Sequence, residues 1–200
     1  MYHENVLGLI GDTPLVEIRR LNPHPHVKIL AKIECRNPGG SVKDRVALAM
    51  IEAAEASGEL TPDKTIIEAT SGNTGIGLAM VAAVKGYKIK MLKAYGAEIE
   101  LTPARLSTDG AIELAYRMAR EEPDKYVLMD QYNNPASIQA HYRGTAREIW
   151  EQTGGRVSHV VAALGTTGTA MGLVKGLKEF SGGAVRVLAV EPFAGHKIQG

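Results

Sequence analysis

Three short segments of the sequence place glycine beside serine, threonine or asparagine directly before a run of helical periodicity. They are residues 37–45 (NPGGSVKDR), 70–75 (TSGNTG) and 165–169 (GTTGT), the first, second and third loops. The first backbone N–H groups of a helix have no partners inside it, and the helix dipole places partial positive charge there. Glycine lets a ligand approach the backbone closely, so each loop has the residues of an anion-binding site.

A single loop of this kind is more often a tight strand-to-helix turn in which glycine only supplies a left-handed conformation. Three such loops in one chain of 200 residues favour ligand binding over that alternative. The spacing excludes two familiar nucleotide motifs, because no G-x-x-x-x-G-K-S/T occurs and no set of glycines in the second or third loop fits G-x-G-x-x-G. Neither a P-loop site nor a standard dinucleotide site is therefore supported.

Lys43 lies in the first turn of the helix that follows the first loop. The positive end of the helix dipole disfavours an ammonium ion there, which favours the neutral amine that attacks an aldehyde. Taken alone, a lysine in this place is more often a solvated surface residue than a nucleophile.

The composition indicates a soluble globular protein without a charge pattern for nucleic acid or an anionic membrane. Of the 200 residues, 44% are hydrophobic and 22% are charged, and 23 Lys and Arg balance 22 Asp and Glu. No apolar run has the length of a membrane span, and the first residues lack the pattern of a secretory signal. A cytoplasmic enzyme acting on small molecules is therefore expected.

The cysteine and histidines give no sign of a disulfide or a metal site. Cys35 is the only cysteine and is expected to be a packed thiol at the end of a strand. The six histidines lack metal-ligand spacing, so they are expected at the surface or in helix packing.

Apolar runs alternate with runs of helical periodicity, which predicts an α/β protein with mainly parallel sheets. The predicted strands cover residues 27–33, 65–69, 87–90, 98–101, 126–129, 157–163 and 185–190. The predicted helices cover residues 43–57, 75–85, 110–120, 137–151 and 169–180. The inward faces of the last two helices are predicted to carry Ile138, Tyr142, Ile149, Met171, Val174 and Leu177.

The strands predicted at 87–90 and 98–101 are separated only by residues 91–97. Neighbouring parallel strands need a crossover of about a dozen residues or more, usually a helix. Leu92, Ala94 and Ala97 have the spacing expected at the end of such a helix. We therefore expect a further stretch of chain between Lys90 and Met91 in the whole protein.

The three loops, in this order and spacing, resemble those of the cysteine synthase branch of the fold-type II pyridoxal-phosphate (PLP) enzymes, which includes O-acetylserine sulfhydrylase and cystathionine β-synthase. The similarity also includes residues 8–15 (GLIGDTPL) and Glu191-Pro192, so it extends over nearly the whole chain. It is specific for the family and not for one member. The resemblance implies bound pyridoxal 5′-phosphate and an α/β fold of two domains, each with a mainly parallel sheet flanked by helices.

The resemblance also implies roles for individual residues. Lys43 occupies the place of the lysine that binds PLP covalently and removes the substrate α-proton, and Asn73 that of the asparagine that hydrogen-bonds the ring oxygen. The third loop is similar to the family's phosphate cup, which consists here of Gly165, Thr166, Thr167, Gly168 and Thr169. The side chains similar to those that bind the substrate α-carboxylate are Thr70, Ser71, Thr74 and Gln131.

The implied large domain combines residues 1–35 with 135–200 and is expected to be incomplete, because family chains continue further. The small domain covers residues 36–134, and residues 133–135 (NNP) are the best internal linker. The implied reaction is a β-replacement that forms L-cysteine from O-acetylserine or O-phosphoserine and sulfide.

Other activities stay open, and the oligomeric state and the protein partner follow only from the resemblance. A cystathionine β-synthase-like or serine dehydratase-like lyase, and a non-catalytic protein of the same fold, stay open as alternatives. The resemblance implies a homodimer and suggests serine acetyltransferase as a partner.

Overall fold

The computed structural model describes residues 2–70, 72–90 and 107–193. The helices are α1 (Lys43–Ala56), α2 (Asn73–Lys85), α3 (Ser107–Glu121), α4 (Pro135–Ala140), α5 (Arg147–Gln152) and α6 (Gly168–Phe180), and a π-helix (His141–Ala146) joins α4 to α5. The strands are β1 (Leu15–Glu17), β2 (Leu30–Lys32), β3 (Thr65–Ile67), β4 (Lys88–Lys90), β5 (Tyr126–Leu128), β6 (His159–Ala163) and β7 (Arg186–Val190). No helix in these ranges is long and apolar enough to cross a membrane.

The described strands form two parallel sheets and one small antiparallel pair. Strand β3 lies at the centre of the order β4-β3-β5, and β6 pairs with β7. Strands β1 and β2 are antiparallel, with Leu15 opposite Lys32. Helices follow the parallel strands along the chain, which confirms the predicted α/β class with mainly parallel sheets.

The observed strands coincide with predicted ones except for β1, which has only three residues and no buried face. The strand predicted at 98–101 and the stretch expected between Lys90 and Met91 lie outside the described residues. Asn133 lies in a turn, and α4 begins directly after Asn134, whose side chain accepts a hydrogen bond from the N–H of Ala136 at 2.9 Å. Pro135 then occupies the first helical position, where its missing N–H has no cost.

Two hydrophobic clusters hold these elements together. The larger one joins α1 and α2 to the β4-β3-β5 sheet and includes Val46, Met50, Ile51, Ile66, Leu78, Val81, Val127 and Met129. The smaller one joins the π-helix, α5 and α6 to the β6-β7 sheet and includes Ala146, Ile149, Ala162, Leu173, Leu177 and Val185. Each parallel sheet is therefore packed against helices that precede and follow its strands along the chain.

Glycine lies where helices make their closest contacts. A Cβ on Gly77 of α2 would lie 3.0 Å from the Cβ of Ala47 in α1, and one on Gly176 of α6 would lie 2.6 Å from the Cβ of Ala146. A Cβ on Gly172 of α6 would likewise clash with the Cβ of His141. The buried face of α6 is therefore built from glycine as well as leucine, and the prediction that Met171 faces inward is wrong, because Met171 is 50% exposed.

Cys35 also differs from its prediction. It lies in a short 3-10 helix (Glu34–Arg36) and is exposed, so the expectation of a packed thiol at a strand end is wrong.

Arg45 is the centre of a buried ion cluster that ties α1 to α5 and to the N-terminal segment. Its guanidinium donates to both carboxylate oxygens of Glu148, at 2.6 and 2.8 Å, and to both of Glu34, at 2.7 and 2.9 Å. Lys32 donates to Glu148 at 2.6 Å. Burial alone would raise the pKa of Glu148, but the hydrogen bonds from Arg45 and Lys32 outweigh burial and lower that pKa to about 2.

We expect Arg45→Met to lower the free energy of unfolding by about 3 kcal/mol, because it removes the guanidinium from the buried carboxylate of Glu148 and the half-buried carboxylate of Glu34. Arg19→Met is the matched control, since Arg19 pairs with Glu17 at the surface and its loss should cost less than about 1 kcal/mol. Urea titration of both variants measures the difference. Equal effects of the two substitutions would show that the buried cluster adds nothing to stability.

Candidate active site

Lys43 is the first residue of α1 and is half-buried. Burial lowers the pKa of its amine. Within the described part of the chain, its ammonium makes no hydrogen bond or ion pair. Its position is fixed by the neighbouring helix, because a Cβ on Gly77 would lie 3.3 Å from the Lys43 carbonyl oxygen. An amine in this environment is neutral more often than one in water, as a nucleophile or base requires.

The second loop leads from β3 into α2. Thr70 accepts a hydrogen bond from the N–H of Gly72 at 3.2 Å, and Gly72 precedes the helix in an extended conformation. Asn73 is the first residue of α2, and its side chain is exposed. Ser71 lies outside the described residues.

Thr74 and Gln131, two predicted carboxylate-binding residues 57 positions apart, are in direct contact. The Thr74 hydroxyl donates to the Gln131 side-chain oxygen at 2.7 Å, and both residues are buried. On its other side, Gln131 donates from its backbone N–H and its side-chain amide to the carboxyl of Glu68, at 3.4 and 3.5 Å. The amide of Gln131 is therefore held between the second loop and the end of β3.

The third loop leads from β6 into α6. Gly165, Thr166 and Thr167 form a bend, and Gly168 begins the helix. Thr167 has a φ of 66°, a left-handed conformation that strains a β-branched residue. Its side chain caps no N–H of α6, so the helix start is left for another acceptor. The Thr169 hydroxyl lies 3.1 Å from Nε2 of His141.

The helices that follow the second and third loops differ from α4 in how their N-termini are capped. Asn134 caps α4 with its side chain. By contrast, Gly72 and Thr167, the residues before α2 and α6, make no side-chain cap, whereas at the start of α1 the Ser41 hydroxyl accepts from the N–H of Lys43 at 3.1 Å. Helix N-termini without caps attract anions through their free N–H groups and dipole.

A chain of contacts brings the three loops together. A Cβ on Gly168 of the third loop would lie 3.1 Å from the Cβ of Ser137, and the Ser137 hydroxyl donates to the carbonyl oxygen of Gln131 at 3.3 Å. Gln131 in turn holds Thr74 of the second loop. Gly77, one turn further into α2, packs on the first turn of α1 beside Lys43. The described residues predicted for the site therefore converge on one region.

Several buried polar residues of this region were not among the predicted site residues. Glu68, Ser137 and His141 are each at most 7% exposed and contact predicted site residues. Asp44 is fully buried, and one carboxylate oxygen accepts from the N–H of Gly39 at 2.6 Å while the other has no partner in the described structure. The signals in the sequence were the positions of Asp44, inside the first loop, and of Glu68, two residues before the second loop.

Comparison with known proteins agrees with this geometry. The profile of the pyridoxal-phosphate dependent enzyme family matches residues 6–200. Cysteine synthase B of Escherichia coli (strain K12) is 46% identical over 96% of this chain and 66% of its own length. Cystathionine beta-synthase of Rattus norvegicus is 45% identical over 94% of this chain and 36% of its own length.

A solved structure gives the same result at the level of the fold. The crystal structure of cysteine synthase (OASS) from Entamoeba histolytica superposes with a TM-score of 0.89 and 41% identity, covering 96% of this chain and 61% of that one. The fold is that of the fold-type II PLP enzymes. The chain belongs to the pyridoxal-phosphate dependent enzyme family, and it spans 66% of the length of its Escherichia coli relative.

The residues present fit the cofactor that this family implies. PLP carries an aldehyde and a phosphate dianion. Lys43 offers a half-buried amine of lowered pKa for the aldehyde. The third loop offers an uncapped helix start and threonine hydroxyls for the phosphate. Within residues 2–70, 72–90 and 107–193, no cluster of His, Cys, Asp and Glu could hold a metal ion.

We expect Glu68→Gln to change how stability depends on pH. Burial, partly offset by the hydrogen bond from the N–H of Gln131, raises the pKa of Glu68 from 4.5 to about 7. Between these two pH values the folded state keeps a proton that the unfolded state releases. The native protein should therefore lose on the order of 3 kcal/mol relative to the variant as pH rises through this range.

Urea titrations at about pH 4.5 and pH 8 measure this difference. Glu59→Gln, at an exposed position, is the control and should change the unfolding free energy little at either pH. A constant gap between the native protein and Glu68→Gln at both pH values would contradict the raised pKa.

Proposed function

We propose that the protein forms L-cysteine from an O-activated serine, O-acetylserine or O-phosphoserine, and sulfide, using PLP. The observation that carries this proposal is the convergence of Lys43, which is half-buried and has no acidic partner among the described residues, with the two uncapped helix starts of α2 and α6. The cysteine synthases among its relatives support the choice of reaction.

The cofactor would be held at both ends by this chain. Gly165, Thr166, Thr167, Gly168 and Thr169 would bind its phosphate, Lys43 would bind its aldehyde carbon, and Asn73 would hydrogen-bond its ring oxygen. When bound, PLP supplies an electron sink for the charge that develops at the substrate α-carbon. The protein's own contribution is to orient the reacting groups and to move protons.

The second loop would bind the substrate α-carboxylate through Thr70, Ser71, Thr74 and Gln131. The contact between Thr74 and Gln131 supports this, because it fixes two of the four side chains before any substrate arrives. Anchoring the carboxylate at the start of α2 would present the α-proton to the amine of Lys43. A neutral amine accepts that proton as a general base, and burial of Lys43 favours the neutral form.

A cystathionine β-synthase-like lyase is the second candidate, because the similarity to the Rattus norvegicus enzyme is of the same order. The cofactor-binding residues do not distinguish the two reactions. Incubating the full-length protein with O-acetylserine and sulfide, and separately with serine and homocysteine, distinguishes them by product. A protein that retains PLP but makes neither product is a lyase of another kind or non-catalytic.

The domain division, 1–35 with 135–200 and 36–134, also stays a proposal. Each parallel sheet lies wholly within one of these parts, which supports it. Homodimer formation, a cytoplasmic location and a serine acetyltransferase partner are proposals that rest on the resemblance alone.

Lys43 is expected to carry the cofactor. Reduction of the purified protein with borohydride followed by peptide mapping should place the pyridoxyl group on Lys43. Lys43→Ala should abolish this label and lower product formation by about 10²- to 10⁴-fold, since the amine is also the base. The control Lys85→Ala removes a helix lysine that pairs with Glu55. It should keep both the pyridoxyl label on Lys43 and the native level of product formation. Label on Lys85 or Lys32 in the native protein would refute the assignment.

Asn73→Ala is expected to change the absorption spectrum of the bound cofactor more than its affinity, because one contact to the ring is lost while the phosphate stays bound. Spectra and the dissociation constant for PLP are measured on the same preparation. Complete loss of PLP from this variant would show that Asn73 is an anchor for the cofactor and not a contact that adjusts its ring.

A further inference from the structure

His141 connects the π-helix to the third loop. Its side chain is 1% exposed, and both ring nitrogens have partners. Nδ1 lies 3.0 Å from the hydroxyl of Thr145, one turn along the π-helix, and Nε2 lies 3.1 Å from the hydroxyl of Thr169 in the first turn of α6. Gly172 allows this contact, because any larger residue there would displace the histidine.

The imidazole of His141 is neutral at ordinary pH. Burial, together with the positive charges of Arg45 and Lys43, lowers its pKa to about 4, although Glu34 and Glu148 act in the opposite direction. A neutral imidazole has one N–H donor and one nitrogen acceptor. The direction of the two hydrogen bonds is therefore set by which nitrogen carries the proton.

The surroundings of Thr145 decide that question. Thr145 is 3% exposed, and in the described structure its hydroxyl has one hydrogen-bond partner, Nδ1 of His141. If Nδ1 carried the proton, the hydroxyl hydrogen of Thr145 would be buried without an acceptor, which is costly. Thr145 therefore donates to Nδ1, and the proton of the ring is on Nε2.

The same reasoning then applies to Thr169. Nε2–H of His141 donates to the Thr169 oxygen, so this hydroxyl keeps its own hydrogen. In the described structure Thr169 has no second partner to accept it. The hydrogen lies at the uncapped start of α6, where the free N–H groups also await an acceptor. All three groups thus donate in one direction, from Thr145 through His141 to Thr169.

We propose that His141 is a positioning residue that holds Thr169 with its hydroxyl hydrogen free to donate to the phosphate of the cofactor. This inference rests on the proposed function, since the phosphate must lie on the third loop. A histidine of the opposite tautomer would accept the Thr169 hydrogen and leave the phosphate without that donor.

The tautomer is measured by NMR of the PLP-loaded full-length protein with isotope-labelled histidine. At about pH 6 we expect His141 to be neutral with the proton on Nε2, since an unperturbed histidine would be largely protonated there. A proton on Nδ1, or a charged ring, would overturn the inference. Assignment comes from the signal that disappears in His141→Gln.

The rate at which the protein loses PLP tests whether His141 strengthens the binding of the phosphate through Thr169. His141→Leu and Thr169→Val should each raise the rate of PLP loss by about 10- to 100-fold, because a hydrogen bond to a charged group is lost. The double variant should be no worse than Thr169→Val, since both changes remove the same donor. His141→Gln, whose side-chain amide can replace the Nε2–H group, should stay close to the native protein.

His159→Leu is the control, because His159 is exposed and, within the described structure, its side chain hydrogen-bonds Ser158 alone. Phosphorus NMR of the bound cofactor should shift in His141→Leu and not in this control. Additive losses in the double variant would indicate a merely structural role for His141 and would overturn the inference. If His141→Leu fails to fold, His141→Gln and Thr169→Val still test the inference. Native-like PLP retention in Thr169→Val would show that the Thr169 hydroxyl does not hold the phosphate, and would overturn the inference.

The two proposals fail in different ways. A native protein that never binds PLP refutes the proposed function. A native protein that binds PLP through Lys43 but releases it no faster after His141→Leu leaves that function standing and refutes the role of His141.

Discussion

The site depends on helices that approach one another closely enough to leave no room for side chains between them. Gly77 brings the first turns of α1 and α2 together, and Gly168 and Gly172 bring the start of α6 against α4 and the π-helix. A methyl group at any of these positions would meet atoms within van der Waals distance. Because these contacts lie near the N-terminal ends of the helices, they bring the starts of α1, α2 and α6 towards one region.

Arg45, two residues after Lys43, binds acidic side chains near the start of α1. Two of the carboxylates close to this end of α1, Glu34 and Glu148, are both bound by the guanidinium. A third, Asp44, is turned towards the N–H of Gly39. Glu34 and Glu148 are therefore occupied, and among the described residues no acid pairs with Lys43, although one oxygen of Asp44 has no partner. An ion pair would have kept the lysine protonated, whereas burial lowers the pKa of its amine.

The sequence predicted the helices, the parallel sheets and the loops well, because each depends on local periodicity and on glycine before a helix. It also placed Gln131 correctly beside the second loop, through the family resemblance. It failed for Met171, because periodicity scores apolar side chains and ignores the glycines that bury that face of α6. It missed Arg45 because a buried charge depends on partners up to 103 residues away. It missed His141 because the π-helix departs from the period of 3.6 residues that the prediction assumed.

The π-helix has a consequence for the length of the chain. His141, at its start, faces α6, whereas Glu148, just after its end, faces Arg45 of α1. Each residue of a helix turns the direction of the next side chain by about 100°. Deleting one residue between these two positions would rotate α5 against α4 by that angle and separate Glu148 from Arg45, although neither residue had changed. The number of residues between them is therefore as constrained as their identities.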